Sequence, residues 1–410
     1  MKKFLIYVFG FLLIYYPGLI PNINPYIFPL CMLLLLMLIE LPSKSISVIK
    51  NVKNKEIFLF ILGIIASIAY YAIIYSLNNN NITLMDMRIV QGSSVIIYLF
   101  LVLYLLEFLK KMGNNYKDNM EFLFIIGSIQ GIICILMLLI PSFKEFANYL
   151  MYSSGKFEKG AYIFTTRVYG ISNTYTYGLP IYHGLLSGLC FYISAVKEKK
   201  FFKYLPFIFI VAFLNGRTGI LIAVLSIILS SIYLIIKKGM FTTVLSYLFK
   251  FSILFSFVIL MVKLFLPNIF KFVSILWVEI NAFIVSGELS GTTQYLARDN
   301  FFIPDGFGLL FGEGFRPYSD MNSIYKTDIG FVNDLFMGGI LYISLLYGSF
   351  IKLLMSKKLL KKDSFLIFIV IISTLIANWK GEIFKNSTFI IGFLFIALNY
   401  IVNNFEEGSG

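Results

Sequence analysis

Twelve apolar runs, most of them about as long as a helix that crosses a bilayer and each closed by polar residues, limit this chain more than any other feature. They fall near 4–20, 25–41, 57–76, 90–109, 122–140, 180–196, 204–215, 218–236, 243–265, 334–351, 365–379 and 387–402. A composition 59% hydrophobic, 18% aromatic and only 13% charged cannot be enclosed in a water-facing globule. The pattern therefore predicts an all-α, polytopic integral membrane protein of about twelve transmembrane helices, with residues 1–407 as a single transmembrane domain. The first run follows Lys2 and Lys3 and lacks a small-residue cleavage site, so it reads as a retained helix. The terminal Gly408-Ser409-Gly410 reads as an expression scar. Asn215-Gly216-Arg217-Thr218-Gly219 is a turn-forming break that splits the nearly continuous stretch 204–236.

Lysine placement sets the expected orientation. Lysines precede the first run and follow the second, fourth, sixth, eighth and tenth, which puts both termini in the cytoplasm. The net charge of +13 is then topological, and no basic cluster on a soluble fold suggests nucleic acid. Cys31, Cys134 and Cys190 lie inside apolar runs without the spacing of a disulfide framework or zinc site. A single histidine, His183, removes His-based metal clusters, and no cofactor is expected.

The opposite face carries all five arginines, Arg88, Arg167, Arg217, Arg298 and Arg316. Arginine suits bidentate contact with phosphate. Two long segments lie on that face, 141–179 and 267–333, both carrying aromatics, Gly and Pro. Within the second, 271–287 reads as an amphipathic helix on the membrane surface. The Gly-rich 306–314 has neither the spacing nor the strand-to-helix setting of a nucleotide loop.

Outward arginines beside two ordered loops suggest an anionic ligand at the membrane surface, and a lipid-linked diphosphate fits best. Fixed Arg side chains can stabilise the charge that develops on a departing diphosphate. An attacking sugar hydroxyl needs a carboxylate within hydrogen-bond reach. The carboxylates on offer are Glu279, Glu288, Asp299, Asp305, Glu313, Asp320, Asp328 and Asp334.

The stretch FLNGRTGILIAVLSIIL (213–229), then LARDN (296–300) and LLFGEGF (309–315), then TDIGFVNDLFMGGILYISLLYG (327–348), resembles the Wzy-type O-antigen polymerases. Arg167 followed by Gly178 also matches an R-x10-G spacing seen in some of them. The resemblance covers the whole chain in topology, while its local motifs are short. It implies a GT-C-like glycosyltransferase fold with two large periplasmic loops in a bacterial inner membrane. The donor would be a glycan on undecaprenyl diphosphate, and the acceptor the terminal sugar hydroxyl of a new lipid-linked repeat unit. The family also implies a polysaccharide chain-length regulator as partner. O-antigen ligases carry an H-N-x-x-L-like motif where this chain reads Asp328-Ile329-Gly330-Phe331, a departure that favours polymerase.

On this reading Arg217, Arg298 and Arg316 neutralise the diphosphate, with Arg167 as a further contact. Asp328 activates or orients the acceptor, without a metal. His183, Glu313, Asp320 and Lys380 are further substrate-binding candidates. Each residue also has a plainer role open to it. Arg217 could snorkel, and Arg298 or Arg316 could pair with Asp299 or Glu313. Asp328 could cap a helix, Lys380 could pair with Glu382, and His183 could be a satisfied helix histidine. The rival functions are O-antigen ligase and a polysaccharide flippase or other secondary transporter.

Overall fold

Helices begin and end where the sequence turns from apolar to polar. A computed structural model describes residues 2–15, 27–40, 46–78, 88–152, 167–172, 177–265, 267–287, 291–294, 301–317 and 327–403. All regular structure among the described residues is helical: α1 (Lys2–Tyr15), α2 (Ile27–Glu40), α3 (Ile46–Val52), α4 (Lys55–Asn78), α5 (Arg88–Lys111) and α6 (Tyr116–Leu139). Then come α7 (Pro141–Tyr152), α8 (Gly178–Val196), α9 (Leu205–Asn215), α10 (Arg217–Lys238), α11 (Phe241–Phe265) and α12 (Pro267–Ser286). The chain ends with α13 (Gly291–Gln294), α14 (Phe307–Phe311), α15 (Gly330–Leu354), α16 (Lys357–Lys380) and α17 (Ser387–Asn403).

Each of the twelve apolar runs overlaps a helix among the described residues. Eight helices among the described residues are long and apolar enough to cross a membrane: α4, α5, α6, α8, α10, α11, α15 and α16. The protein is therefore membrane-embedded. The break in 204–236 falls at Gly216, whose extended backbone (φ −176°, ψ 133°) separates α9 from α10. At its other end α10 closes on Gly239 in the left-handed region, where the Met240 N–H reaches back to the Leu234 carbonyl at 3.1 Å. In α16 the lysine-rich start is a separate turn. Asp363 leaves the helical region, and its carboxylate accepts the Leu366 N–H at 3.3 Å.

Contacts divide the chain into two compact units. The first comprises Met1–Pro25, Lys117–Gly291 and Phe368–Ser373; the second comprises Tyr26–Tyr116, Thr292–Ile367 and Thr374–Gly410. In the first unit α8 is the central element, buried from Gly178 to Ala195. It packs backbone to backbone on α10, since a Cβ on Gly184 would stand 2.4 Å from the Gly219 carbonyl oxygen. Small residues at such crossings replace the hydrophobic drive that lipid cannot supply. In the second unit α15 packs along α4, α17 along α5, and α14 on α15.

Candidate functional site

The helix α15 is not one rod. Gly339 adopts φ 66° and ψ −166°, which breaks the helix between the half-helix before it and the longer piece after it. The run expected over 334–351 is therefore interrupted at Gly339 rather than continuous. In a straight helix residues 334 and 347 would be about 20 Å apart. Here the Tyr347 hydroxyl donates to the Asp334 carboxylate at 2.5 Å, and the Phe331 and Tyr347 rings lie 5.4 Å apart. The first half therefore folds back beside the second and returns to the level of Tyr347, about 12 Å from the break.

A loop locks the break. The helix interruption frees the Phe336 carbonyl, which accepts the N–H groups of Glu313 at 2.7 Å and Gly314 at 3.1 Å. Two backbones come together there: a Cβ on Gly312 would stand 2.3 Å from the Gly338 Cα, and one on Gly339 2.4 Å from the Leu310 carbonyl. Only glycine fits on either side of this contact. The motif segments 309–315 and 327–348, read separately in the sequence, thus interlock.

The half-helix begins in a polar setting. Thr327 Oγ1 accepts the Ile329 N–H at 3.1 Å, and the Asn333 amide donates to the Thr327 and Ile329 carbonyls, both at 2.9 Å. The helix start is thus held without Asp328, which stays exposed. Asp328 therefore does not serve as the cap. A Cβ on Gly330 would fall 2.4 Å from Asn378 Oδ1, so this start lies against the end of α16. There Asn378, fully buried, donates to the Tyr347 hydroxyl and accepts the Ile383 N–H at 3.1 Å. Asp334, Tyr347 and Asn378 form one buried polar chain that ties the half-helix to the 378–383 turn.

That turn presents Glu382 to Arg316. Arg316 Nε donates to Glu382 Oε1 at 3.1 Å, and Nη2 makes a second, shorter contact with Oε2. The Glu382 carboxylate is buried on Arg316, and Asp299, one of the partners considered for it, lies outside the described residues. Phe315, beside Arg316, and Ile329, beside Asp328, belong to one apolar cluster with Val332 and Phe336. Trp379 stacks on Phe301 (5.3 Å, 12°), meets Phe331 edge-on, and keeps part of its surface exposed next to Lys380. Arg316, Asp328, Glu313 and Lys380 are thus gathered round the same folded-back half-helix. Burial, with Asp305 nearby as a second cause, holds the Glu313 carboxyl above its ordinary value.

In the first unit Arg217 is the first residue of α10. Its Nη1 donates to Glu279 Oε1 of α12 at 3.1 Å, with both side chains largely enclosed. Segment 167–172 threads in beside it. The Asn215 amide grips both polar groups of Val168, accepting its N–H at 3.0 Å and donating to its carbonyl at 2.6 Å. Arg167 donates to the Tyr169 hydroxyl at 3.0 Å. His183, expected to reach a sugar or phosphate, has no exposed surface. Its Nε2 shares a hydrogen bond with the Tyr15 hydroxyl at 3.0 Å, and its Nδ1 lies 3.2 Å from the Ile208 carbonyl. It is a packed helix histidine. Arg298 and Asp320 lie outside the described residues.

Glu279, one of the candidate carboxylates, and Glu382, considered as a partner for Lys380, were not expected to pair with arginines. Asp334, Tyr347 and Asn378 carried one usable signal: polar groups inside apolar runs need partners. No protein-family model, no curated protein and no solved structure matches the chain.

Proposed function

We propose that the protein is a membrane glycosyltransferase that polymerises lipid-linked repeat units, of the kind made by O-antigen polymerases. The growing glycan would leave undecaprenyl diphosphate and pass to the terminal sugar hydroxyl of an incoming unit on the periplasmic side. The observation that carries the reading is the folded-back half-helix of α15, which sets the exposed Asp328 and the Glu382-held Arg316 about one apolar cluster.

The roles follow from charge. Arg217, Arg298, Arg316 and Arg167 are the cations suited to a diphosphate; Glu382 keeps Arg316 extended and oriented within its unit, and Glu279 does the same for Arg217 within the other. Asp328 accepts the proton of the attacking hydroxyl as the new glycosidic bond forms, and the diphosphate leaves with the electron pair of the broken bond. The exposed surface of Trp379 is suited to a sugar ring. Twelve crossings, a GT-C-like arrangement and cytoplasmic termini complete the proposal, as does a chain-length regulator as partner. The Asp328-Ile329-Gly330 sequence, in place of the ligase histidine motif, supports polymerase over ligase.

A broken helix also lines the sites of many secondary transporters, which favours a polysaccharide transporter as the second reading. Reconstituted protein supplied with lipid-linked repeat units decides between them. A ladder of longer lipid-linked glycans is expected, and Arg217→Ala or Asp328→Asn should abolish it with the protein still inserted. Single transfer to lipid A-core would indicate the ligase. Movement of the lipid-linked unit across the vesicle without any covalent product would establish the transporter.

A further inference from the structure

An ordinary amphipathic helix turns its apolar side inward and its charges to water. Among the described side chains of α12 the order differs. Trp277, Val278, Phe283, Ile284 and Val285 are exposed, and among the described side chains of the helix Glu279 alone is buried. The inward carboxylate ends on Arg217 at 3.1 Å. Arg217 is therefore an anion site that a segment of the chain itself occupies.

We propose that Glu279 is a built-in competitor for the diphosphate, and that α12 is a latch released when a prenyl diphosphate takes its place on Arg217. This rests on the glycosyltransferase reading, in which Arg217 binds that group. A carboxylate is a weaker ligand for a guanidinium than a diphosphate, which brings more charge and can engage the guanidinium fork in two places. Exchange of one anion for the other leaves no uncompensated charge on Arg217, so the desolvation that opposes simple breakage of the pair does not arise. Glu279 then swings toward the headgroup water, while the exposed apolar side of α12 keeps it at the lipid surface. The latch excludes weaker anions and couples occupation of Arg217 to movement of α12.

Hydrogen exchange over residues 274–286, measured on the full chain in nanodiscs, reads the latch directly. Farnesyl diphosphate is the probe, with farnesol and inorganic pyrophosphate as comparisons. Farnesyl diphosphate should raise exchange in this segment roughly threefold while farnesol leaves it unchanged. Glu279→Gln should raise exchange without any ligand and tighten farnesyl diphosphate binding by about tenfold, since the competing state is removed. Arg217→Ala should also free the helix, yet bind no probe. The charge-swapped Arg217→Glu, Glu279→Arg protein should keep α12 as protected as the wild type and bind no diphosphate, which separates the latch from a folding defect. Arg217-dependent binding with unchanged exchange in 274–286, or an unchanged affinity in Glu279→Gln, would overturn the latch and leave the glycosyltransferase reading standing. Absence of farnesyl diphosphate binding to the wild type would remove both. Equal effects of pyrophosphate and farnesyl diphosphate would show an anion latch that does not read the lipid, and would overturn the assignment to a prenyl diphosphate.

Discussion

Asp334 and Tyr347 belong to the same helix thirteen positions apart, and their side chains are hydrogen-bonded at 2.5 Å. Only a chain that doubles back at Gly339 can bring them together. The bond is therefore a direct readout of the folded-back geometry that places Asp328.

Removing the Tyr347 hydroxyl should loosen that geometry. Tyr347→Phe deletes the donor to Asp334 and the acceptor of Asn378 in one step, both in buried surroundings. A cost of about 2 kcal/mol is expected, seen as a lower thermal midpoint in detergent. Asp334→Asn keeps an acceptor for the hydroxyl and should cost clearly less. Equal effects of the two substitutions would show that the chain of bonds does not act as a unit.

The Gly339 break makes a sharper demand. Gly339→Ala puts a Cβ where φ is 66° and where Leu310 backbone atoms stand 2.4 Å away. Strain and clash together should exceed about 3 kcal/mol, and little folded protein should be recovered. Gly348, later in α15, would have open space around a Cβ. Gly348→Ala should be neutral or slightly stabilising, because alanine favours the helix. Recovery of well-folded Gly339→Ala protein would mean that the half-helix does not fold back.

These cases show what the sequence could and could not tell. The positions of the helices were legible because apolar runs and polar breaks act locally, as at Gly216 and Asp363. The break inside α15 was missed, although Gly338-Gly339 was a local signal for it, since a kink needs such a cause. Nothing local, however, could say that residues 312–314 would dock there, because that contact joins two backbones distant in sequence. Arg316 and Arg217 stood out by residue type. Their pairing with Glu382 and Glu279 did not, since contacts across 66 and 62 positions are decided by tertiary packing. His183 was misleading for a physical reason. A lone polar ring in an apolar helix looks functional until its two partners, Tyr15 and Ile208, are seen.

The Arg316–Glu382 pair is largely enclosed, so its two halves should respond unequally. Glu382→Ala leaves a guanidinium short of its carboxylate and should cost about 2 kcal/mol. Arg316→Lys keeps the charge but loses the two-point fork. It should spare most of the stability while lowering ladder formation by more than tenfold. A double-mutant cycle between the two positions checks this. Coupling below about 0.5 kcal/mol would class the pair with ordinary surface ion pairs.

Glu313 should give the protein an acid-side gain in stability. Its folded-state carboxyl titrates above the ordinary value because it is partly buried, with Asp305 adding to the effect. A raised folded value means that folding favours the protonated form. The contribution is fully present below the unfolded value and is lost as pH rises through the raised one. The thermal midpoint, followed from acidic to neutral pH in a fixed detergent, should therefore carry a downward component just above the ordinary carboxylate range. Glu313→Gln removes that component and should be more stable than the wild type at neutral pH, because its backbone N–H still reaches Phe336. Asp305→Asn should move the decline to lower pH by removing the second cause. If Glu313→Gln retains the whole acid-side gain, the carboxyl is not the group responsible, and the loop at the α15 break holds no charge strain.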